Sequence, residues 1–144
     1  MIKDLLQNYI KDYKITLTEN QYEQFQKYFE LLAEWNEKMN LTAITDESGV
    51  ALKHFADSLS LLNFVDIPQN SSLADVGTGA GFPGVVLKIA RPDIKLTLID
   101  SLNKRLVFLG EVCAQLGIEA ELIHSRAEAD ADQILQEAEA TKQE

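Results

Sequence analysis

The sequence predicts an α/β fold: strands and helices alternating into a parallel sheet, preceded by a helical extension. Three observations carry this. Up to residue 64 the large apolar residues recur at spacings of three and four, the period of an amphipathic helix. After Pro68 the pattern changes to short apolar runs at 73–76, 96–99 and 118–124, separated by two stretches of helical length. Between the first run and the first of those stretches lie Gly77, Gly79, Gly81 and Gly84. Strand, helix, strand, helix, strand at this spacing means parallel pairing through right-handed crossovers.

Residues 2–14 form a short amphipathic segment with Leu5, Leu6, Tyr9, Ile10 and Tyr13 on one stripe. Thr18 offers an N-cap to the next helix, with Gln21 placed to complete a capping box. Behind it Tyr22, Phe25, Phe29 and Leu32 keep helical spacing, flanked by Tyr28 and Trp35. This aromatic stripe reads as core packing in preference to a base-stacking platform. The helix is expected to fade at Asn40, and a second to cover 46–64, ending in the loop from Pro68 to Ser72. Pro83 suits the first turn of the helix from Val85 to Ala90, because its missing N–H has no intrahelical partner there. Pro92 stops that helix. The second strand ends at Asp100, and Ser101 is placed to cap the following helix. There Leu102, Leu106, Leu109, Cys113 and Leu116 keep helical spacing, and Gly117 suits the C′ position. The expected organisation is a helical region over 1–70, a sheet region over 71–128, and an acidic tail over 129–144, helical or disordered.

Composition bounds the function classes. The 144 residues are 46% hydrophobic, enough to bury a core. No apolar run approaches the roughly 20 residues that span a bilayer. The N-terminus lacks a signal-peptide layout, and the single cysteine, Cys113, has no internal disulfide partner. A cytoplasmic location is therefore expected. The formal charge of −10 argues by itself against nucleic acid, but half of it lies in the last eighteen residues, where six acids meet Lys142 alone. Net charge is a weak guide here.

A glycine cluster between a strand and a helix lets a ligand touch bare backbone. The spacing fits two ligands. Gly79, Gly81 and Gly84 satisfy the dinucleotide pattern, while Gly77, Gly79 and Gly81 give the tighter alternation expected around S-adenosylmethionine. Asp75, two residues before the first glycine, favours the second, since a carboxylate repels a pyrophosphate and attracts a sulfonium and an ammonium. Asp100 ends the next strand, where an acid accepts both ribose hydroxyls of either cofactor. Each acid also has a plainer reading, as a helix cap or a solvated strand end. The arrangement is that of a Rossmann-like cofactor-binding sheet.

The run from Asp75 to Gly84, Asp-Val-Gly-Thr-Gly-Ala-Gly-Phe-Pro-Gly, resembles the cofactor loop of the bacterial 16S rRNA guanine-N7 methyltransferases (the RsmG, or glucose-inhibited division protein B, family). Other stretches match that family in order: Trp35-Asn36, Asn40-Leu41-Thr42, His54 with Asp57-Ser58, Asp100-Ser101-Leu102 with Lys104-Arg105, and Arg126-Ala127-Glu128. The resemblance implies a Rossmann-like S-adenosylmethionine-dependent methyltransferase fold and methyl transfer to N7 of a guanosine in 16S rRNA of the 30S subunit. It implies a cofactor site of Asp75, Gly77, Thr78, Gly79, Gly81, Phe82, Asp100, Ala127 and Glu128, with Gly77 and Phe82 at the methionine end and Ala127-Glu128 beside the adenine. It places Asn40, His54 and Asp57 on the substrate side, with Lys104 and Arg105 toward RNA phosphate. The last pair reads equally as a solvated face, and a lone helical histidine reads equally as a packed one. Guanine N7 carries a free lone pair, so the chemistry asks for orientation and exclusion of water and names no catalytic base and no metal.

The sequence departs from the family after Glu128, where relatives continue through several further strands. Three expectations follow. The 144-residue chain alone does not methylate 16S rRNA at a measurable rate, the first strand is left as a sheet edge, and the chain dimerises through that edge, swaps elements, or is stable only with further strands supplied. The competing readings are a non-catalytic S-adenosylmethionine-binding module and a small NAD-binding domain.

Overall fold

The computed structural model describes residues 1–126. In chain order they form α1 (Ile2–Tyr9), α2 (Glu19–Met39) and α3 (Glu47–Gly49), which runs into a π-helix (Val50–Ala56) and α4 (Asp57–Leu59). Then come α5 (Leu61–Phe64), β1 (Ser72–Val76), α6 (Gly84–Ala90), β2 (Lys95–Asp100), α7 (Asn103–Leu116) and β3 (Ala120–His124). The sheet has the order β1-β2-β3 with both pairs parallel, as the alternation predicts. The register sets Leu73 beside Leu96 and Ala120, and Asp75 beside Leu98 and Leu122. Side chains alternate faces along a strand, so these rows share one face. Leu96 and Leu98 join the core there with Val85, Val86 and Ile89 of α6 and Leu106 and Leu109 of α7.

α2 lies across both crossover helices and ties the helical region to the sheet. Its capping box is formed: Thr18 Oγ1 accepts from Gln21 N, and Gln21 Oε1 accepts from Thr18 N at 2.8 Å. The amide of Gln21 goes on to donate to Ile89 O at the end of α6, and that of Gln24 donates to Leu116 O at the end of α7. Further along, Trp35 packs on Phe108 at 5.6 Å. The buried stripe runs through Tyr22, Phe25, Tyr28, Leu31 and Leu32. Tyr28, expected to flank, is fully buried, while Phe29 is only partly so. A fully buried ring of this kind stabilises the fold by about 1.5–3 kcal/mol.

The expected helix over 46–64 is broken. Asp46 caps its start by accepting from Gly49 N at 2.9 Å. The turns then widen to π geometry over Val50–Ala56, and a break at Ser60 separates α5. Ser101 does not cap α7. The N-cap position is Leu102, whose own N–H is held by the Asp100 carboxylate at 2.9 Å. Gly117 closes α7 in the left-handed region at φ +68°, as expected. Below the sheet Arg91 grips Asp93 through two 2.8 Å bonds while donating to Ile67 O, clasping the loop before β1 to the turn before β2. That ion pair and a bond from Asn70 N hold the Asp93 carboxyl well below the usual range. The expected tail, and the site residues Ala127 and Glu128, lie outside the described residues. No described helix is long and apolar enough to cross a membrane.

Candidate functional site

Parallel strands place all their carboxyl ends at one edge, where ligands of such sheets sit. The chain leaves β1 there through the glycine loop. Gly77 N and Thr78 N both donate to Ile99 O at the end of β2, so the loop starts as an extension of the ladder. Gly77, Gly79 and Gly81 adopt φ of +71°, +59° and +102°, conformations that side chains resist.

The four glycines divide into two pairs. A Cβ added at Gly77 or Gly79 meets nothing within 4 Å, so their Cα atoms face open crevice. A Cβ at Gly81 would strike the Tyr28 hydroxyl and approach Val85 Cγ2 at 2.9 Å and Leu109 Cδ2 at 3.0 Å. One at Gly84 would meet Asp75 Oδ2 and Leu98 Cδ2, each at 2.8 Å. Gly81 and Gly84 are there so that the loop and α6 pack closely. Gly81 was expected to line the cofactor, but its Cα is turned toward the core.

Asp75 and Thr78 build the loop from beneath. Asp75 Oδ2 accepts from Thr78 Oγ1 at 2.8 Å and from Gly84 N at 2.9 Å. Burial pushes its carboxyl up, and those two bonds offset part of the rise. Thr78 is buried, with its hydroxyl, N–H and carbonyl all engaged inside the loop. Asp75 thus sits where a phosphate would sit at a helix start, and the N–H groups of Gly77, Thr78, Gly79, Gly81 and Gly84 all have internal acceptors. The loop is built against a pyrophosphate.

Asp100, only 2% exposed, lies beside it at the end of β2. Its Oδ2 accepts from Gly79 N at 2.8 Å, and its Oδ1 accepts from Leu102 N at 2.9 Å and from Arg105 Nη1 at 3.3 Å. Val76 and Leu102, at the ends of β1 and β2, are 44% and 40% exposed. They give this edge an apolar surface against which a base can lie. The sequence signals neither role: Val76 reads as strand core, and Leu102, the N-cap of α7 two residues past β2, reads as part of the apolar helix stripe.

On the other flank the predicted substrate-side residues meet the loop. The His54 ring stacks on Phe82 with centroids 4.3 Å apart and planes 7° from parallel, and Tyr28 stacks on Phe82 at 5.6 Å. The Tyr28 hydroxyl donates to Ala80 O at 2.5 Å. His54 Nε2 lies 2.8 Å from Thr42 Oγ1. Burial lowers the His54 pKa against an opposing pull from Asp57, which leaves the imidazole neutral near pH 7. His54, Asp57, Lys53, Ser60, Phe82 and Pro83 line one cleft of about 320 Å3. Asn40 ends α2 in the left-handed region, exposed, two residues before Thr42. Thr42, in the Asn40-Leu41-Thr42 turn, meets His54 only through the fold. Lys104 is exposed at the start of α7, while Arg105 turns back to Asp100. A larger depression, about 700 Å3, lies toward the opposite edge of the sheet beside Lys88, Lys95, Cys113 and Glu121, and no predicted site residue lines it.

Comparisons with known proteins bear on the family. The family model described as rRNA small subunit methyltransferase G matches residues 21–141. The chain is similar to the ribosomal RNA small subunit methyltransferase G of Staphylococcus carnosus (strain TM300), 52% identical over 120 residues, covering 83% of this chain and 50% of that protein. The protein of that name from Desulforamulus reducens is 55% identical over 119 residues, covering 82% and 50%. The one from Staphylococcus aureus (strain JH9) is 50% identical over 129 residues, covering 89% and 54%. The chain spans about half the length of these curated relatives.

Proposed function

Since this chain belongs to the rRNA small subunit methyltransferase G family, we propose that the edge over Gly77 and Gly79 binds S-adenosylmethionine for methyl transfer to N7 of a guanosine in 16S rRNA of the 30S subunit. The observation that carries the cofactor is the Asp75 carboxylate on the first N–H of α6. It fills the anion position of the loop with protein charge, which disfavours a dinucleotide and suits a ligand that bears cations. The open face of Gly77 then suits the methionine end, and the open face of Gly79 beside the strand-end Asp100 suits the ribose.

When bound, the cofactor supplies a methyl group activated by a sulfonium. The chain supplies position. Asp100 accepts ribose hydroxyls, Val76 and Leu102 give the base an apolar bed, and Phe82 is held between His54 and Tyr28 at the methionine end, with Asp75, Thr78 and Gly81 shaping the loop beneath. Ala127 and Glu128 complete the adenine side. The cleft of His54 and Asp57, with Asn40 near it, borders the substrate, and Lys104 and Arg105 take phosphate. Neutral His54 takes no proton from N7, which has none to give. The cytoplasm is the proposed location. A second copy is a proposed partner through the outer edge of β1, which pairs only with β2 among the described residues.

Calorimetry with S-adenosylmethionine and NAD side by side tests the cofactor, and tritium transfer to 30S subunits tests the reaction. Asp100→Ala is expected to weaken cofactor binding by roughly tenfold or more, since charge-assisted hydrogen bonds contribute about 1.5–3 kcal/mol. Equal affinity in mutant and parent removes Asp100 from the site. Binding without transfer is the result expected of these 144 residues, which span about half of the relatives' length; transfer would show that they carry the whole reaction.

A further inference from the structure

A carboxylate offers about four acceptor positions, and three on Asp100 are filled among the described residues, two of them on Oδ1. A ribose diol needs one position on each oxygen. Oδ2 has one to give, while Oδ1 has none until a present donor leaves. Gly79 N and Leu102 N are backbone, fixed by the loop and by the start of α7. Arg105 is the exception: its contact is the longest of the three at 3.3 Å, it uses one guanidinium nitrogen, and its side chain is 37% exposed. We infer that cofactor binding displaces Arg105 from Asp100 and thereby releases a guanidinium, beside Lys104, to grip RNA phosphate.

Arg105 is then a coupling residue. In the free protein it neutralises a buried carboxylate, and so it competes with the ribose. With the diol in place it has lost its acceptor and stands on an exposed helix start beside a second cation. Guanidinium groups suit phosphate because their paired N–H donors match its oxygens. Coupling of this kind is reciprocal: phosphate that draws Arg105 away frees Oδ1 and strengthens cofactor binding by the same factor. Cofactor and RNA are thus favoured to bind together, in either order.

The inference rests on the proposed ribose contact, and the test separates the two. S-adenosylhomocysteine is the probe because it lacks the sulfonium, so a change in local charge perturbs it little. Calorimetry compares the full chain with Arg105→Gln, each first checked for its fold by circular dichroism. The variant is expected to bind S-adenosylhomocysteine about two- to fivefold more tightly, the scale of a half-exposed ion pair. With 2′-deoxy-S-adenosylhomocysteine, whose single remaining hydroxyl fits the open position on Oδ2, the gain disappears. A variant that binds no more tightly than the parent overturns the inference, as does an equal gain with both ligands. Failure of both proteins to bind either ligand overturns the ribose reading itself. Anisotropy of a labelled guanosine-containing RNA hairpin supplies the second readout. S-adenosylhomocysteine should raise the parent's RNA affinity by a similar factor and leave Arg105→Gln unchanged; no rise in the parent rejects the coupling.

Discussion

Gly81→Ala is expected to destabilise the fold by about 3 kcal/mol or more, whereas Gly77→Ala leaves it folded and loses cofactor binding. At Gly81 two costs coincide. Its φ of +102° lies outside what alanine tolerates, and the new methyl would enter space held by Tyr28, Val85 and Leu109. None of the three moves easily, because Tyr28 is anchored to Ala80 O and the other two lie in the core. At Gly77 the strain of φ +71° costs about 1 kcal/mol, and the methyl stands in open crevice. It should weaken S-adenosylhomocysteine binding by roughly tenfold or more, by crowding a ligand that lies on backbone. Urea midpoints and calorimetry read the two effects separately. A Gly81→Ala protein as stable as the parent, or a Gly77→Ala protein that binds normally, breaks the division of the glycines.

Asp75→Ala is expected to cost about 2–4 kcal/mol, because it strands the buried Thr78 hydroxyl and the first N–H of α6 at once. Asp75→Asn should cost about 1 kcal/mol or less. It keeps an acceptor oxygen for those donors, and burial already disfavours the charged carboxyl. Urea denaturation of the two variants gives the comparison. Equal, small losses in both would show that the loop holds itself without Asp75.

These two cases mark how much was legible in the sequence. Local chemistry was: the Thr18–Gln21 capping box, Gly117 as a helix stop and the glycine loop depend on neighbours within a few residues, and the parallel order follows from the alternation of strand and helix. What the loop glycines do was not. Gly81 is closed by Tyr28, 53 residues away, on a helix whose buried arc is centred between Phe25 and Tyr28 and not on Phe29. Asp75 read as a cofactor-facing charge or, more plainly, as a helix cap, and its observed bonds are those of the cap. Asp100, and not Ser101, holds the start of α7, since a carboxylate reaches the N–H two residues on. The spacing of His54 and Asp57 put them on one helical face, and both line one cleft, but the π geometry and the Thr42 and Phe82 partners arise from packing that no spacing encodes.

The central claim is that the open backbone of Gly77 and Gly79 receives a cationic cofactor, with Gly77 at its methionine end. Amide chemical-shift mapping of the full chain, titrated with S-adenosylmethionine and separately with NAD, tests it most directly. The account predicts shifts at Gly77, Gly79 and Leu102 with S-adenosylmethionine and none there with NAD at the same concentration. Shifts of those amides by NAD would contradict it, as would S-adenosylmethionine shifts confined to the depression beside Lys88, Lys95 and Cys113.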